Sequence, residues 1–123
     1  MFDFQDPALV RLVGAFYDAG KIVSGVCHGP VGLLDVKLSD GTPLLAGRKV
    51  TGFSNKEESA VSRDDAIPFS LEDELTRRAA DYSTAMLPFG GHVVEDGRLI
   101  TGQNPSSAKG VAEAVVKQLR GER

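Results

Sequence analysis

The sequence contains no long apolar run and very little cysteine. No stretch approaches the roughly 20 apolar residues of a membrane-spanning helix. The first residues lack the charged-then-apolar order of a secretory signal peptide. A single cysteine in 123 residues excludes an internal disulfide framework and is typical of a reducing compartment. We therefore expect a cytoplasmic protein that makes no membrane contact.

Positive charge is also scarce. The chain has 14 Lys and Arg against 17 Asp and Glu, a net charge of -3, and no basic run. Nucleic acid and anionic membranes are therefore unfavourable partners. Two histidines and one cysteine occur without CxxC or HxxxH spacing, which argues against a metal site.

Glycine, by contrast, is frequent, and the rest of the composition is that of one ordinary domain. Fourteen glycines predict many sharp turns, while 41% apolar residues are enough for a single core. Neither an internal repeat nor a linker interrupts the chain. We expect a single domain over residues 1–123.

Helix and strand patterns alternate along the chain. The predicted helices open on a polar cap or a proline, at Asp6–Pro7, Ser54, Ser70 and Asn104–Pro105, and a short helix is expected over 31–36. The segment 22–26 is typical of a buried parallel strand, two strand-like pieces lie within 37–53, and the turn Asp96–Gly97 predicts a hairpin over 93–101. The alternation predicts an α/β fold with helices covering a sheet.

The segment Gly25-Val26-Cys27-His28-Gly29 is the strongest local signal for chemistry. A residue on a sharp strand-to-helix turn needs clearance on both sides, which flanking glycines supply, as in the Gly-x-Ser-x-Gly nucleophile elbow. Such a turn places the Cys27 sulfur at a helix N-terminus, where the dipole favours a thiolate and backbone N–H groups can hold an oxyanion. The alternative is an inert, buried cysteine, and the two glycines favour the nucleophile.

His28 and one of two glutamates are the candidate partners of Cys27. His28 could act as a general base or stabilise a thiolate as imidazolium, or it could simply be a histidine at a helix start. A histidine base needs an orienting acceptor, and Glu57 and Glu58 follow the next strand-like run at the matching edge of the sheet. Because a capping box with Ser54 would engage Glu57, Glu58 is the freer carboxylate, but the choice between them stays open.

Three further residues are candidates for substrate binding. Gly29 adjoins the elbow, and the glycine-rich segment 90–92 could bring His92 near it, although an exposed approach to the hairpin explains His92 as well. The segment 102–107 opens the last helix, so Asn104 could bind a carboxylate or phosphate, although helix capping alone accounts for it.

Four stretches together resemble a known family: 26–30, 43–47, 50–53 and 96–107. They are similar to the ThiJ/PfpI superfamily, and within it to the branch of glutathione-independent glyoxalase III and related stress chaperones. The resemblance runs from Phe2 to about Leu119. It implies a flavodoxin-like sandwich of the class I glutamine amidotransferase type, with a mostly parallel sheet flanked by helices.

The resemblance also implies a reaction and a set of residues. In that branch a cysteine is the nucleophile, the next histidine its partner, and a glutamate after the Thr-Gly-Phe strand orients the histidine; these roles fall on Cys27, His28 and Glu58. The implied activity is a glyoxalase III-type lyase (D-lactate dehydratase). It converts methylglyoxal or a related 2-oxoaldehyde into a 2-hydroxy acid through a Cys27 hemithioacetal, without a cofactor. The expected partners are the aldehyde substrate and a second copy of the chain in a homodimer.

The sequence departs from that branch in length. Its members carry an N-terminal half that supplies the first strands of the sheet and an acidic residue that contacts the cysteine. We expect this chain to correspond to their C-terminal half, with no counterpart of that acid. The alternative functions are a non-catalytic holdase, a peptidase or amidase, and a protein that retains the fold without activity.

Overall fold

Four α-helices and five β-strands form the described part of the computed structural model, which comprises residues 6–60, 69–78, 81–87 and 89–121. The helices are α1 (Pro7–Asp18), α2 (Asn55–Ala60), α3 (Leu71–Arg78) and α4 (Ala108–Leu119). The strands are β1 (Val23–Val26), β2 (Lys49–Val50), β3 (Asp81–Tyr82), β4 (Val93–Asp96) and β5 (Leu99–Gly102). Short 3₁₀ helices cover Gly29–Leu33 and Pro105–Ser107.

Helix α1 begins and ends as its sequence predicts. The Asp6 carboxylate accepts a hydrogen bond from the Ala8 N–H at 2.8 Å, and Pro7 occupies the first helical position, where no N–H donor is needed. Gly20 follows the helix with a φ of +84°, a left-handed conformation that glycine adopts without a steric penalty.

The strands form a mixed, mostly parallel arrangement. β5 lies at the centre of a three-stranded sheet, parallel to β1 and antiparallel to β4. β4 and β5 form the predicted hairpin, whose turn contains Gly97 at a φ of +58°. β2 pairs in parallel with β3 in a second, two-stranded sheet. With helices packed on these strands, the predicted α/β class is confirmed.

Several predicted elements differ in extent. The predicted helix over 31–36 is a 3₁₀ helix at Gly29–Leu33, because Gly32 weakens a regular helix and the Val36 carbonyl accepts instead from the Leu44 N–H at 2.8 Å. Of the strand-like pieces within 37–53, only β2 is a strand, together with a single bridge between Lys37 and Pro43. The last α-helix starts at Ala108, after a 3₁₀ helix. The predicted end of α2 near Val61 lies outside the described residues.

Strand β1 is less enclosed than its sequence predicts. It starts at Val23, lies at the edge of the three-stranded sheet in the described part of the chain, and leaves Ser24 exposed. The expected burial therefore holds for Val23 but not for the whole strand. Among the described helices, none is both long and apolar enough to cross a bilayer.

Two hydrogen bonds join the two sheets. The buried Thr101 hydroxyl of β5 accepts from the Thr51 N–H at 2.9 Å, and the Asp96 carboxylate accepts from the Lys49 N–H at 2.8 Å. The main core lies between these sheets and the helices and includes Leu44, Leu45, Val50, Phe53, Leu71, Leu75 and Leu99. The loops that follow β1 and β2 consequently lie side by side.

Candidate active site

Cys27 lies on a sharp turn directly after β1. Its φ is +63°, a left-handed conformation that costs a residue with a side chain about 1–2 kcal/mol. Two hydrogen bonds hold it there: the Cys27 N–H donates to the Gly102 carbonyl and the Phe53 N–H donates to the Cys27 carbonyl, both at 2.9 Å. The predicted elbow is therefore present, and its backbone is fixed from both sheets.

The two glycines beside Cys27 have different roles. A Cβ on Gly25 would lie 3.1 Å from the backbone nitrogen of Pro30, so a side chain there would push this backbone by a few tenths of an ångström. A Cβ on Gly29 would meet nothing within 4 Å. The prediction that both glycines supply clearance that the turn needs is therefore wrong for Gly29, where a Cβ would contact no atom beyond its chain neighbours.

Cys27, His28 and Glu58 form one connected set of side chains. The Cys27 sulfur lies 3.5 Å from His28 Nδ1, and His28 Nε2 lies 2.9 Å from Glu58 Oε1. Because a carboxylate oxygen only accepts, Nε2 is the donor in this hydrogen bond, and Nδ1 is the ring nitrogen that faces the sulfur. The His28 side chain is 30% exposed and the Glu58 side chain is 2% exposed. His28 is therefore accessible to solvent, whereas Glu58 is buried.

The neighbouring Glu57 has a different set of partners. It forms the predicted capping box, since its Oε1 accepts from the Ser54 N–H and hydroxyl and the Ser54 oxygen accepts from the Glu57 N–H. Glu57 is fully buried. Burial raises the pKa of Glu57, but hydrogen bonds from Gln103, Asn104, Ser54 and Phe89 together hold it below its usual value. Glu58 is thus the carboxylate that meets His28.

The surroundings of Cys27 do not favour a thiolate. Burial raises the pKa of the Cys27 thiol, and the negative charges of Glu57 and Glu58 raise it further, against the lowering by a hydrogen bond from the His28 backbone. The expectation that a helix dipole stabilises the thiolate is wrong here. Only a five-residue 3₁₀ helix follows the elbow, and it carries too small a dipole to outweigh these effects.

The decisive observation is a match along nearly the whole chain. The model of the DJ-1/PfpI family matches residues 3–118. The chain belongs to the DJ-1/PfpI family. The resemblance drawn from the elbow and its companion motifs is therefore confirmed.

Individual members of the DJ-1/PfpI family align over the same region. The chain is 33% identical over 128 residues to the glutathione-independent glyoxalase HSP31 of Saccharomyces cerevisiae, a match that covers 98% of this chain and 53% of that protein. The solved structure of Candida albicans glyoxalase III is 32% identical with a TM-score of 0.86, over 94% of this chain and 51% of that one. The 24 kDa Rapid Encystment Protein of Francisella tularensis is 38% identical with a TM-score of 0.89, over 96% and 52%. The chain spans about half the length of the curated relatives it matches.

In this DJ-1/PfpI chain the three predicted substrate-binding residues have separate locations. Gly29 lies two residues after Cys27, at the start of the 3₁₀ helix. His92 is half-buried, with Nε2 2.9 Å from the Ser83 hydroxyl, and none of its hydrogen bonds to described residues reaches Cys27, His28 or Glu58. Asn104 is fully buried and its amide donates to Glu57 Oε2 and to the Gly90 carbonyl, both at 2.7 Å. Asn104 therefore supports the fold around Glu57. It makes no side-chain capping bond, contrary to expectation.

A large cavity lies next to the site but does not contain it. Its volume is about 680 Å³, and its lining includes Ser54, Lys56, Tyr82 and Gln103, but not Cys27, His28 or Glu58. Across the described ranges, no group of three potential metal-ligating side chains is close enough to hold an ion. Side-chain geometry, and not cavity size, identifies the candidate site.

Two phenylalanines at the site were not among the site residues predicted from the sequence. The Phe53 ring packs on the His28 ring with centroids 4.5 Å apart, and the Phe89 ring meets Phe53 edge-on at 5.8 Å. Phe53 directly precedes the capping box, which was a usable signal for its position. Phe89 comes from the loop before β4, and no local pattern relates it to the elbow.

Proposed function

We propose that this chain carries the catalytic residues of a glutathione-independent glyoxalase, which converts a 2-oxoaldehyde such as methylglyoxal into a 2-hydroxy acid. The observation that supports this most directly is the unbroken contact from Cys27 through His28 to Glu58. A nucleophile within reach of a base, with the base oriented by a third group, is the arrangement that covalent catalysis needs. Relatives of the same family are named glutathione-independent glyoxalases.

The first step of the proposed reaction suits a thiol that is protonated at rest. Because the pKa of Cys27 is raised, the sulfur attacks the aldehyde carbon as its proton passes to His28 Nδ1. The product is a hemithioacetal, and the imidazolium that forms is stabilised by the buried Glu58 carboxylate. In this proposal, backbone N–H groups after Cys27 stabilise the oxyanion.

The later steps move one proton between two carbons. The imidazolium first returns its proton to the oxyanion, which completes the hemithioacetal hydroxyl and frees Nδ1. His28 then accepts the proton from the hemithioacetal carbon, and the electron pair moves to the ketone oxygen to give an enediolate. The hydroxyl proton passes from the first oxygen to the second, and His28 returns its proton to the second carbon, which leaves a 2-hydroxy thioester on Cys27. Water then hydrolyses the thioester, releases the 2-hydroxy acid and restores the thiol. The sum is one 2-oxoaldehyde plus one water to one 2-hydroxy acid, so no cofactor enters the balance.

The test is formation of lactate from methylglyoxal in the absence of glutathione. Cys27→Ser is expected to abolish turnover, and His28→Ala to lower kcat by about 100-fold or more, as for loss of a general base. Glu113→Gln on the exposed face of α4 is the matched control and retains full activity. Full activity of Cys27→Ser would disprove the mechanism.

A second candidate function, a holdase, is favoured by exposed apolar side chains. Leu12 on α1 is 54% exposed, Leu119 on α4 is 74% exposed and Met86 is 99% exposed. A holdase binds unfolded chains through exposed apolar surface, and these side chains are candidates to supply it. Suppression of client aggregation by Cys27→Ser, together with no lactate formation by the wild type, would favour the holdase over the enzyme.

We further propose a homodimer in the cytoplasm. The exposed apolar side chains support self-association, and a half-exposed lone thiol at Cys27 is suited to a reducing compartment. Sedimentation equilibrium tests the dimer, and a single species at the monomer mass would exclude it.

A further inference from the structure

Glu57 has more hydrogen-bond donors around it than helix capping requires. The capping box with Ser54 would be complete with Oε1 alone. Its carboxylate also accepts from the Gln103 amide at 2.9 Å, the Asn104 amide at 2.7 Å and the Phe89 N–H at 2.7 Å. A fully buried carboxylate with this set of partners is fixed in position and joins α2 to the loop before β4 and to the segment after β5.

One of those donors belongs to a residue in an unfavourable backbone conformation. Phe89 has a φ of +63°, and Cys27 is the one other non-glycine residue with positive φ in the described ranges. Such conformations persist where the surrounding structure holds them. The hydrogen bond from the Phe89 N–H to Glu57 Oε2 is a contact that holds Phe89 in this backbone conformation.

The side chain of Phe89 is connected to the candidate site through Phe53. Its ring meets Phe53 at 5.8 Å with an interplanar angle of 68°, and Phe53 in turn packs on His28 at 4.5 Å. Glu58 fixes only one atom of the His28 ring, Nε2, so its contact leaves the tilt of the ring open. The Phe53 ring packs on the face of the His28 ring, where it can limit that tilt and with it the direction of Nδ1 toward the sulfur.

We propose that Glu57 is a positioning residue, which holds the His28 ring in its reactive orientation through Phe89 and Phe53. This inference rests on the proposed function only for its effect on turnover, because the orientation of His28 can be measured without substrate. A base misplaced by a fraction of an ångström loses rate while substrate binding is retained. Substitution of Glu57 should therefore lower kcat and leave KM nearly unchanged.

The experiment compares Glu57→Gln and Phe89→Leu with Phe89→Tyr as the conservative variant and Glu113→Gln as the exposed control. Proton and ¹⁵N NMR of the ring reports the orientation of His28, one of only two histidines in the chain. In Glu57→Gln and Phe89→Leu we expect shifted His28 ring signals, a kcat about tenfold lower and a KM within about twofold of wild type. Phe89→Tyr keeps the aromatic contact and is expected to retain the wild-type signals and kcat.

The pH profile of Cys27 alkylation separates positioning from charge. Glu57→Gln removes a negative charge near the sulfur and lowers the midpoint, whereas Phe89→Leu changes no charge and leaves the midpoint unchanged while kcat falls. Unchanged His28 signals in both variants, or activity losses that follow the unfolded fraction in urea, would overturn the proposal. If Glu57→Gln does not fold, the His28 ring signals and the kcat of Phe89→Leu decide whether this chain of contacts positions the His28 ring. If the wild type forms no lactate, the proposed function fails, and the His28 signals still decide the role of Glu57.

Discussion

At the scale of single residues, the elbow depends on an unequal pair of glycines. Gly25 faces the Pro30 backbone at a distance where a Cβ must displace it, whereas Gly29 faces open space. The conformation of Cys27 is fixed by hydrogen bonds to Gly102 and Phe53, so it persists only while the turn around Gly25 stays closed. The sensitive position is therefore the glycine that precedes the nucleophile.

Gly25→Ala is expected to destabilise the fold by about 1–3 kcal/mol, as overpacking does in a tightly packed region. Gly29→Ala is the matched control, and its free energy of unfolding should stay within about 0.5 kcal/mol of wild type. Urea unfolding measures both. Equal losses in the two variants would show that the Pro30 contact does not control the turn.

A second prediction at this scale concerns the protonation of Cys27. Burial first, then the charges of Glu57 and Glu58, raise the pKa of the thiol. Iodoacetamide should therefore alkylate Cys27 with a pH midpoint above that of a free cysteine, and Glu58→Gln should move the midpoint down because one negative charge is removed. A wild-type midpoint at or below that of a free cysteine would contradict this description of the site.

The raised pKa of Cys27 also determines how the free energy of unfolding changes with pH. An unfolded chain loses its thiol proton at a lower pH than the folded chain, so the folded state binds more protons between the two pKa values. The free energy of unfolding should fall as the pH rises above the pKa of a free cysteine. Cys27→Ser should lose this component of the slope.

At the scale of secondary structure elements, Arg98 connects α1 to the β4–β5 hairpin. Its guanidinium donates to the carbonyls of Tyr17 at 2.5 Å and Lys21 at 3.1 Å, and it lies 4.1 Å from the centroid of the Tyr17 ring. The Tyr17 carbonyl also accepts from the Gly20 N–H at 3.0 Å, so Arg98 adds a second donor at the end of α1 and a donor to Lys21 beyond it. Arg98 thus adds polar contacts to the apolar packing of Tyr17, Val10 and Val13 that holds α1 against the core.

Arg98→Ala should lower the free energy of unfolding by about 1–3 kcal/mol, since the hydrogen bonds from a charged donor and the packing of the guanidinium on the Tyr17 ring are lost. Arg11→Ala on the exposed face of α1 is the control and should change it by less than about 0.5 kcal/mol. Denaturant titration of both variants provides the comparison. If Arg98→Ala lowers the free energy of unfolding no more than Arg11→Ala does, the contacts of Arg98 with Tyr17 and Lys21 contribute little to stability.

The elements also show which features could be predicted from the sequence. The elbow follows from local patterns, and a capping box four residues long explains why Glu58 is the freer carboxylate, although those patterns leave the choice between Glu57 and Glu58 open. The partners of Glu57 at Gln103 and Asn104 and the contact between Arg98 and Tyr17 join residues 46, 47 and 81 positions apart, which no local period encodes. β2 and β3 have two residues each, too few for alternation to identify them. The sign of the Cys27 pKa shift likewise depends on which carboxylates surround the sulfur.

At the scale of the whole molecule, the candidate site spans two sheets. Cys27 follows β1 of the three-stranded sheet, whereas Glu58 lies on α2, which follows β2 of the other sheet. The hydrogen bond from the Thr51 N–H to the buried Thr101 hydroxyl is a direct link between these two parts. The distance from Cys27 to Glu58 therefore depends on how firmly the sheets are joined.

Thr101→Val keeps the shape of the side chain but leaves the buried Thr51 N–H without its acceptor, which should cost about 1–3 kcal/mol in urea unfolding. Thr76→Val is the matched control, since it removes a hydroxyl that donates to the Glu72 carbonyl on an exposed helix face and should cost less than about 0.5 kcal/mol. Because the unpaired N–H lies between the sheets, Thr101→Val should also speed hydrogen exchange at Thr51 and lower kcat with little change in KM. Equal effects of Thr101→Val and Thr76→Val on stability and exchange would mean that packing alone, and not this hydrogen bond, holds the two parts of the site in register.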